Sequence, residues 1–217
     1  MRLRRHDWAY LHAGVLPATG SADAAARAWL EGWIDRGGPL VVTRQNGFDE
    51  TSVALGIVLP AALGSSRIAC TIAPSAIARQ RGPVTVDEAA SVLPAAEARA
   101  LRQFASVITD HATHLGVYGS TAWQFLTTET YRHAQSDIDI ICDVASSAGF
   151  AACLAAFADA AIYFPSRIDG ELRISCGHAV AWRELHDACN GGPPVVLAKG
   201  ERDIALLSLR QILAPLR

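Results

Sequence analysis

Two aspartates one residue apart, Asp137 and Asp139, stand in an otherwise apolar run, "SDIDIICDV". A segment this rich in isoleucine reads as a β-strand. On a strand, residues i and i+2 share a face, so both carboxylates point one way and Ile138 and Ile140 the other. Two partly buried carboxylates held that close repel each other unless a positive charge lies between them. A hard divalent cation, Mg²⁺ or in its place Mn²⁺, answers that need and shares its coordination with substrate phosphates. D-x-D alone also suits an exposed strand with two solvated acids, so a second element has to decide. Gly119-Ser120, in "VYGSTAW", supplies one. Glycine lets the chain reverse sharply and lets a ligand approach the backbone. Serine at a helix start offers a cap and a hydroxyl, and the free N–H groups there attract phosphate. Strand, Gly-Ser, helix, loop and D-x-D strand together give a phosphate cradle followed by a metal site. Both parts serve one kind of substrate, a nucleoside triphosphate or a relative of one.

The elements that must position these groups are legible in outline. In the first part, "SADAAARAWLEGWIDRGG" predicts a helix stopped by Gly37-Gly38. "HDWAYLHA", "PLVVTRQ", "TSVALGIVLP" and "SRIACTIA" predict strands, and "TVDEAASVL" a short helix. Pro94 then opens a helix predicted to run to Gly116, with Leu101, Phe104, Ile108 and Leu115 near one face. "GVYGS" predicts a brief strand, "TAWQFLTTETY" a helix and "SAGFAACLAAFADA" a buried helix. "AIYFPSRIDGELRIS" predicts two strands around or near Asp169-Gly170. "AVAWRELHDACNGG" ends in a glycine stop, "PVVLAKG" is a strand, and "ERDIALLSLRQILAPL" an amphipathic helix. The fold class expected is α+β: a small N-terminal α+β domain over residues 1–92, then a second domain over 93–217 with a mixed sheet flanked by helices.

With 217 residues, 51% of them hydrophobic and 18% charged, the chain is globular rather than disordered. A formal net charge of −2 gives no reason to expect a nucleic-acid partner. Five cysteines without a C-x-x-C pair suit a reduced compartment. Neither a signal peptide nor a membrane-length apolar run is present, so a soluble, cytoplasmic protein is expected. Lys199, the sole lysine, ends an apolar strand where it could reach a phosphate. His6 and Asp7 form a polar pair beside Trp8, and Trp123 follows Ser120 by one helical turn, a position that suits core packing.

"VYGSTAWQFLT" followed by "SDIDI" resembles the polymerase-beta-like nucleotidyltransferases, whose signature is G-S and then D-x-D. Within that superfamily the chain resembles one family more closely: the malonate decarboxylase holo-acyl-carrier-protein synthases, or phosphoribosyl-dephospho-CoA transferases. "RRHDWAYL", "GPLVVTR", "LGIVLP", "DGEL" and "AVAWREL" carry that likeness across both parts of the chain. The resemblance implies a reaction. A phosphoribosyl-dephospho-CoA group passes from triphosphoribosyl-dephospho-CoA to a serine of the apo acyl carrier protein subunit of malonate decarboxylase, and diphosphate leaves. It implies that Asp137 and Asp139 hold Mg²⁺ and that Gly119 and Ser120 cradle the leaving diphosphate. The superfamily adds a third carboxylate on a later strand, for which Asp169 and Glu171 are both available. It gives no role to the first domain, which is expected to form one wall of a cleft. Two other functions share the same residues. One is a metal-dependent enzyme that adenylylates a small-molecule or protein hydroxyl; the other is a non-catalytic nucleotide-binding module.

Overall fold

The computed structural model describes residues 3–20, 23–45, 51–64 and 66–216. The fold is mixed α+β, and the chain divides into two compact units. One holds residues 1–83 with 126–131, the other residues 84–125 with 132–217. The division falls ahead of the 92/93 boundary read from the sequence. Val84 already bridges to Val117, and the helix that follows belongs by its contacts to the second unit.

The first unit contains β1 (Trp8–Leu11), β2 (Ala18–Thr19), α1 (Ala24–Asp35), β3 (Leu40–Val42), β4 (Val53–Val58), β5 (Arg67–Ile72) and β6 (Ile77–Arg81). Its strands form one antiparallel sheet in the order β2-β5-β4-β3-β1-β6. Asp23 caps α1 by accepting from the Ala26 N–H at 2.8 Å, and Gly37 ends it by donating to Ile34. Trp8, Leu40, Leu55 and Ile57, together with Leu30 and Ile34 of α1, are almost fully buried. The sequence gives no sign of β6, "IARQR", because an edge strand needs no apolar alternation. It pairs only with β1, and Arg79 covers the Tyr10 ring at 3.6 Å.

The second unit contains α2 (Val86–Ala90), α3 (Ala95–Ile108), β7 (His114–Tyr118), α4 (Gly119–Thr127), β8 (Ile138–Val144), α5 (Ser147–Tyr163) and β9 (Ile168–Ile174). Then come β10 (Ala179–Ala181), α6 (Trp182–Cys189), β11 (Val195–Lys199), β12 (Ile204–Ser208) and α7 (Leu209–Leu213). The sheet order is β12-β11-β10-β9-β8-β7. β8 and β9 pair in parallel, joined through α5, and the other pairs are antiparallel. The inward residues of β8 and β9 meet α5. Phe157 of α5 lies between Phe104, tilted against it at 4.8 Å, and Trp182, stacked on it at 5.6 Å between ring centroids.

Other elements also differ from the sequence reading. α3 stops at Ile108, well before Gly116, because Thr113 leaves the helix to donate its N–H to Asp143 O and start the pairing of β7 with β8. Leu101, Phe104 and Ile108 are buried as expected, but Leu115 lies on β7. Asp169-Gly170 is not a turn. Both residues lie inside β9, where a Cβ on Gly170 would strike the Ile140 carbonyl and the Phe157 ring. The glycine is there for close packing. The C-terminal segment is a strand and then a short helix, and the break is marked by a capping box. Ser208 accepts from the Gln211 N–H at 3.3 Å, while the Gln211 side chain accepts from the Ser208 N–H at 2.9 Å.

Candidate active site

The period-two alternation of β8 carries through to the fold. Ile138 and Ile140 are fully buried, whereas Asp137, just before the strand, and Asp139, within it, are partly exposed. Parallel pairing extends that face onto the neighbouring strand. Asp139 lies in register with Asp169, Ile141 with Glu171 and Asp143 with Arg173. The side of the sheet away from α5 thus carries two adjacent rows of charged residues.

These rows are neutralised unevenly. At the C-terminal end Arg173 grips Asp143 with two hydrogen bonds of 2.8 and 3.0 Å. Midway, the buried Glu171 accepts from Lys199 Nζ at 3.0 Å. At the N-terminal end the acids outnumber the bases. Asp137 and Asp169 share one largely exposed guanidinium, Arg167, at 2.9 and 3.4 Å. Burial, and then the neighbouring carboxylates Asp169, Asp137 and Glu171, push the Asp139 carboxyl from 3.8 up to about 6, against the pull of Arg132. The surplus negative charge therefore sits on oxygens at one end of the sheet, which is the donor chemistry a hard divalent cation takes. Among the described residues, no three His, Cys, Asp or Glu side chains are arranged to hold a metal by themselves. A cation here would complete its shell with substrate phosphates or water.

α4 begins over that end. Tyr118 pairs with Asp139, so the next residue, Gly119, lies against its carboxylate. Gly119 has φ +65°, and a Cβ there would fall on Asp139 Oδ2. Both the backbone conformation and the space demand glycine. Gly119→Ala should destabilise the fold by about 1–2 kcal/mol through the left-handed backbone. It should also lower activity about a hundredfold by displacing the carboxylate. Denaturation and rate measurements on one preparation check this, and a rate within about twofold of the parent would mean that Asp139 need not lie where it does. Ser120, half-buried, follows in the first turn of α4.

The structure brings together Gly119, Ser120, Asp137, Asp139 and Asp169. Lys199, on β11 two strands from β9, is paired at 3.0 Å with Glu171, the next residue after Asp169 on the same face of β9. Trp123 is buried packing. Asp7 makes a local turn contact, accepting from the Arg4 N–H at 2.8 Å.

Two residues that sequence reasoning passed over also belong to this end. Arg167 is one. Arg132 is the other: it donates to Thr121 Oγ1 at 2.6 Å and to the Asp137 carbonyl at 3.0 Å, and it forms a buried ion pair with Glu97 at 2.7 Å. It ties the segment that enters β8 to α3 and α4. Neither arginine has a local sequence signal. Arg132 meets partners on two other helices, and Arg167 sits on the sheet only because β8 and β9 are parallel.

Comparison with known sequences resolves the family. The family model described as "Phosphoribosyl-dephospho-CoA transferase MdcG C-terminal domain" matches residues 84–210, and that of the corresponding N-terminal domain matches residues 4–83. A phosphoribosyl-dephospho-CoA transferase of Xanthomonas axonopodis pv. citri (strain 306) is 35% identical over 195 residues, 89% of each chain. One of Bradyrhizobium diazoefficiens is 30% identical over 212 residues, 97% of this chain and 92% of the relative. One of Pseudomonas fluorescens (strain Pf0-1) is 31% identical over 204 residues, 90% of this chain and 89% of the relative. No solved structure matches. The chain belongs to the phosphoribosyl-dephospho-CoA transferase family and is a transferase. Among the described residues, no helix is long and apolar enough to cross a membrane.

Proposed function

We propose that the protein transfers the phosphoribosyl-dephospho-CoA group of triphosphoribosyl-dephospho-CoA to a serine hydroxyl of an apo acyl carrier protein, the carrier subunit of malonate decarboxylase. The observation that carries this reading is the register of Asp169 beside Asp139 beneath the Gly119 turn. It puts three carboxylates and a helix N-terminus at one point. The serine oxygen attacks the phosphorus next to the ribose, a P–O bond forms, and the bond to the departing diphosphate breaks. Asp137 and Asp139 would hold Mg²⁺, or Mn²⁺, which supplies charge neutralisation at the attacking and leaving oxygens. Ser120 and the free N–H groups that open α4 receive the diphosphate. Asp169, in register and partly exposed, takes the hydroxyl proton; Glu171, buried on Lys199, keeps that lysine in place. The N-terminal unit is assigned to the dephospho-CoA arm or the carrier protein.

Mass spectrometry tests the reaction directly. Apo carrier protein incubated with the enzyme, the triphosphoribosyl donor and Mg²⁺ should gain the mass of the prosthetic group on one serine. Transfer of AMP from ATP, with no mass gain from the triphosphoribosyl donor, would replace this reading by adenylylation. Ser120 has its own signature. Ser120→Ala should weaken donor binding by about 1–2 kcal/mol, the worth of one hydrogen bond to a charged group. A donor lacking the two terminal phosphates should lose less. Equal losses for the two ligands would make the serine a helix cap and nothing more.

A further inference from the structure

The turn that joins β9 to β10 and the turn that joins β11 to β12 lie side by side, because β10 pairs with both β9 and β11. Three side chains meet there, and the phosphate chemistry uses none of them. Cys176 Sγ is 3.4 Å from His178 Nδ1, and His178 Nε2 is 3.1 Å from Asp203 Oδ2. Two glycines shape the arrangement. Gly177, at φ +89°, reverses the chain between the thiol and the imidazole. A Cβ on Gly200 would fall on Asp203 Oδ1 and come within 3.1 Å of His178 Nε2. The carboxylate can sit against the ring only because that position is bare.

The order thiol, imidazole, carboxylate fixes the proton positions. The carboxylate accepts from Nε2–H, which leaves the lone pair on Nδ1 facing the thiol. An imidazole held this way can take the thiol proton, and the thiolate is the nucleophile. Cys176 is exposed at the turn, where a small soluble molecule can reach it. The other cysteines make the contrast. Cys70, Cys142 and Cys153 are buried. Cys189 is exposed like Cys176, but partial burial pushes its thiol up, away from the thiolate.

We propose that Cys176 is a reactive thiol, with His178 as its base and Asp203 orienting the ring, and that it exchanges with low-molecular-weight disulfides. In the step, His178 Nδ1 takes the Cys176 proton and the sulfur attacks one sulfur of the disulfide. The new bond joins Cys176 to that half, and the old S–S bond breaks. The other half leaves as a thiolate and recovers the proton from His178. Cys176 is oxidised to a mixed disulfide while the leaving half is reduced to a thiol, and excess thiol reverses the exchange.

The test is a time course of the whole reduced protein with glutathione disulfide, read by peptide mass mapping. Cys176 should be glutathionylated about ten times faster than Cys189, the gap a base-activated thiolate opens over an unassisted one. Dithiothreitol should remove the adduct. His178→Ala should bring the Cys176 rate down to that of Cys189. Asp203→Asn, which leaves the imidazole in place, should give an intermediate rate. All are compared at unchanged circular dichroism and melting temperature. Equal rates at the two exposed cysteines in the parent protein, or a Cys176 rate unmoved by both substitutions, would overturn the proposal.

Discussion

If Asp139 holds the cation as proposed, Asp139→Asn should lower transfer by at least about a thousandfold, beyond the loss of a single hydrogen-bond donor, because the substitution replaces a charged oxygen with a neutral amide. Asp137→Asn should act in the same direction. The Asp139 variant should nevertheless be the more stable protein without metal. The sign follows from its titration. The Asp139 carboxyl is pushed from 3.8 to about 6 by burial and by its acidic neighbours, so the folded state binds its proton more tightly than the unfolded chain does. Protonation therefore favours the fold, and this advantage is lost as pH rises from about 4 through 6. At pH 8 the variant should gain at most about 3 kcal/mol, and below pH 4 nothing. Thermal unfolding of metal-free protein at both pH values measures it. Added Mg²⁺ should stabilise the parent and not the variant. A variant with near-normal turnover in Mg²⁺ would remove Asp139 from the metal site.

The second large effect belongs to Arg132. Arg132→Met should destabilise the protein by about 3–5 kcal/mol, since it leaves Glu97 buried and uncompensated. The loss should appear as a lower urea midpoint. Pairing the change with Glu97→Leu should recover most of it, because an apolar pair of similar bulk removes the stranded charge. Turnover of the double variant should stay low: the guanidinium also holds the Asp137 carbonyl at 3.0 Å. A single substitution that costs less than about 0.5 kcal/mol, the usual range for a surface change, would mean that Glu97 finds water or another donor.

How much could be read in advance depends on how local the signal was. The acid face of β8 follows from alternation alone, and the Gly-Ser turn from the needs of a helix start. The choice between Asp169 and Glu171 did not. What separates the two is the parallel register that sets Asp169 beside Asp139, and the pairing of the buried Glu171 with Lys199, a residue on a strand much later in the chain. Asp-Gly at 169–170 misled because the same dipeptide serves a tight turn and a tight strand-to-helix contact. The terminal strand was hidden by a helical-looking apolar pattern, although Ser208 and Gln211 already marked where the helix starts. Arg132 has partners 11 and 35 residues away, beyond the reach of any motif read along the chain.

The parallel pairing of β8 with β9 also sets an order of events. Hairpin-linked strands can zip from their turn, but a parallel ladder cannot begin until the intervening helix has formed and swung back. Such non-local closure is slow. A chain emerging from the ribosome as far as α5 already has the glycine turn and the D-x-D strand, yet it holds no acid cluster, because Asp169 has still to be made. The share of the repulsion at Asp139 that comes from Asp169 and Glu171 thus arises only when the crossover closes. A nick or circular permutation within α5 would spare each motif and remove the covalent crossover that brings Asp169 back beside Asp139. The acid cluster is in this sense a property of loop closure, completed when β9 docks.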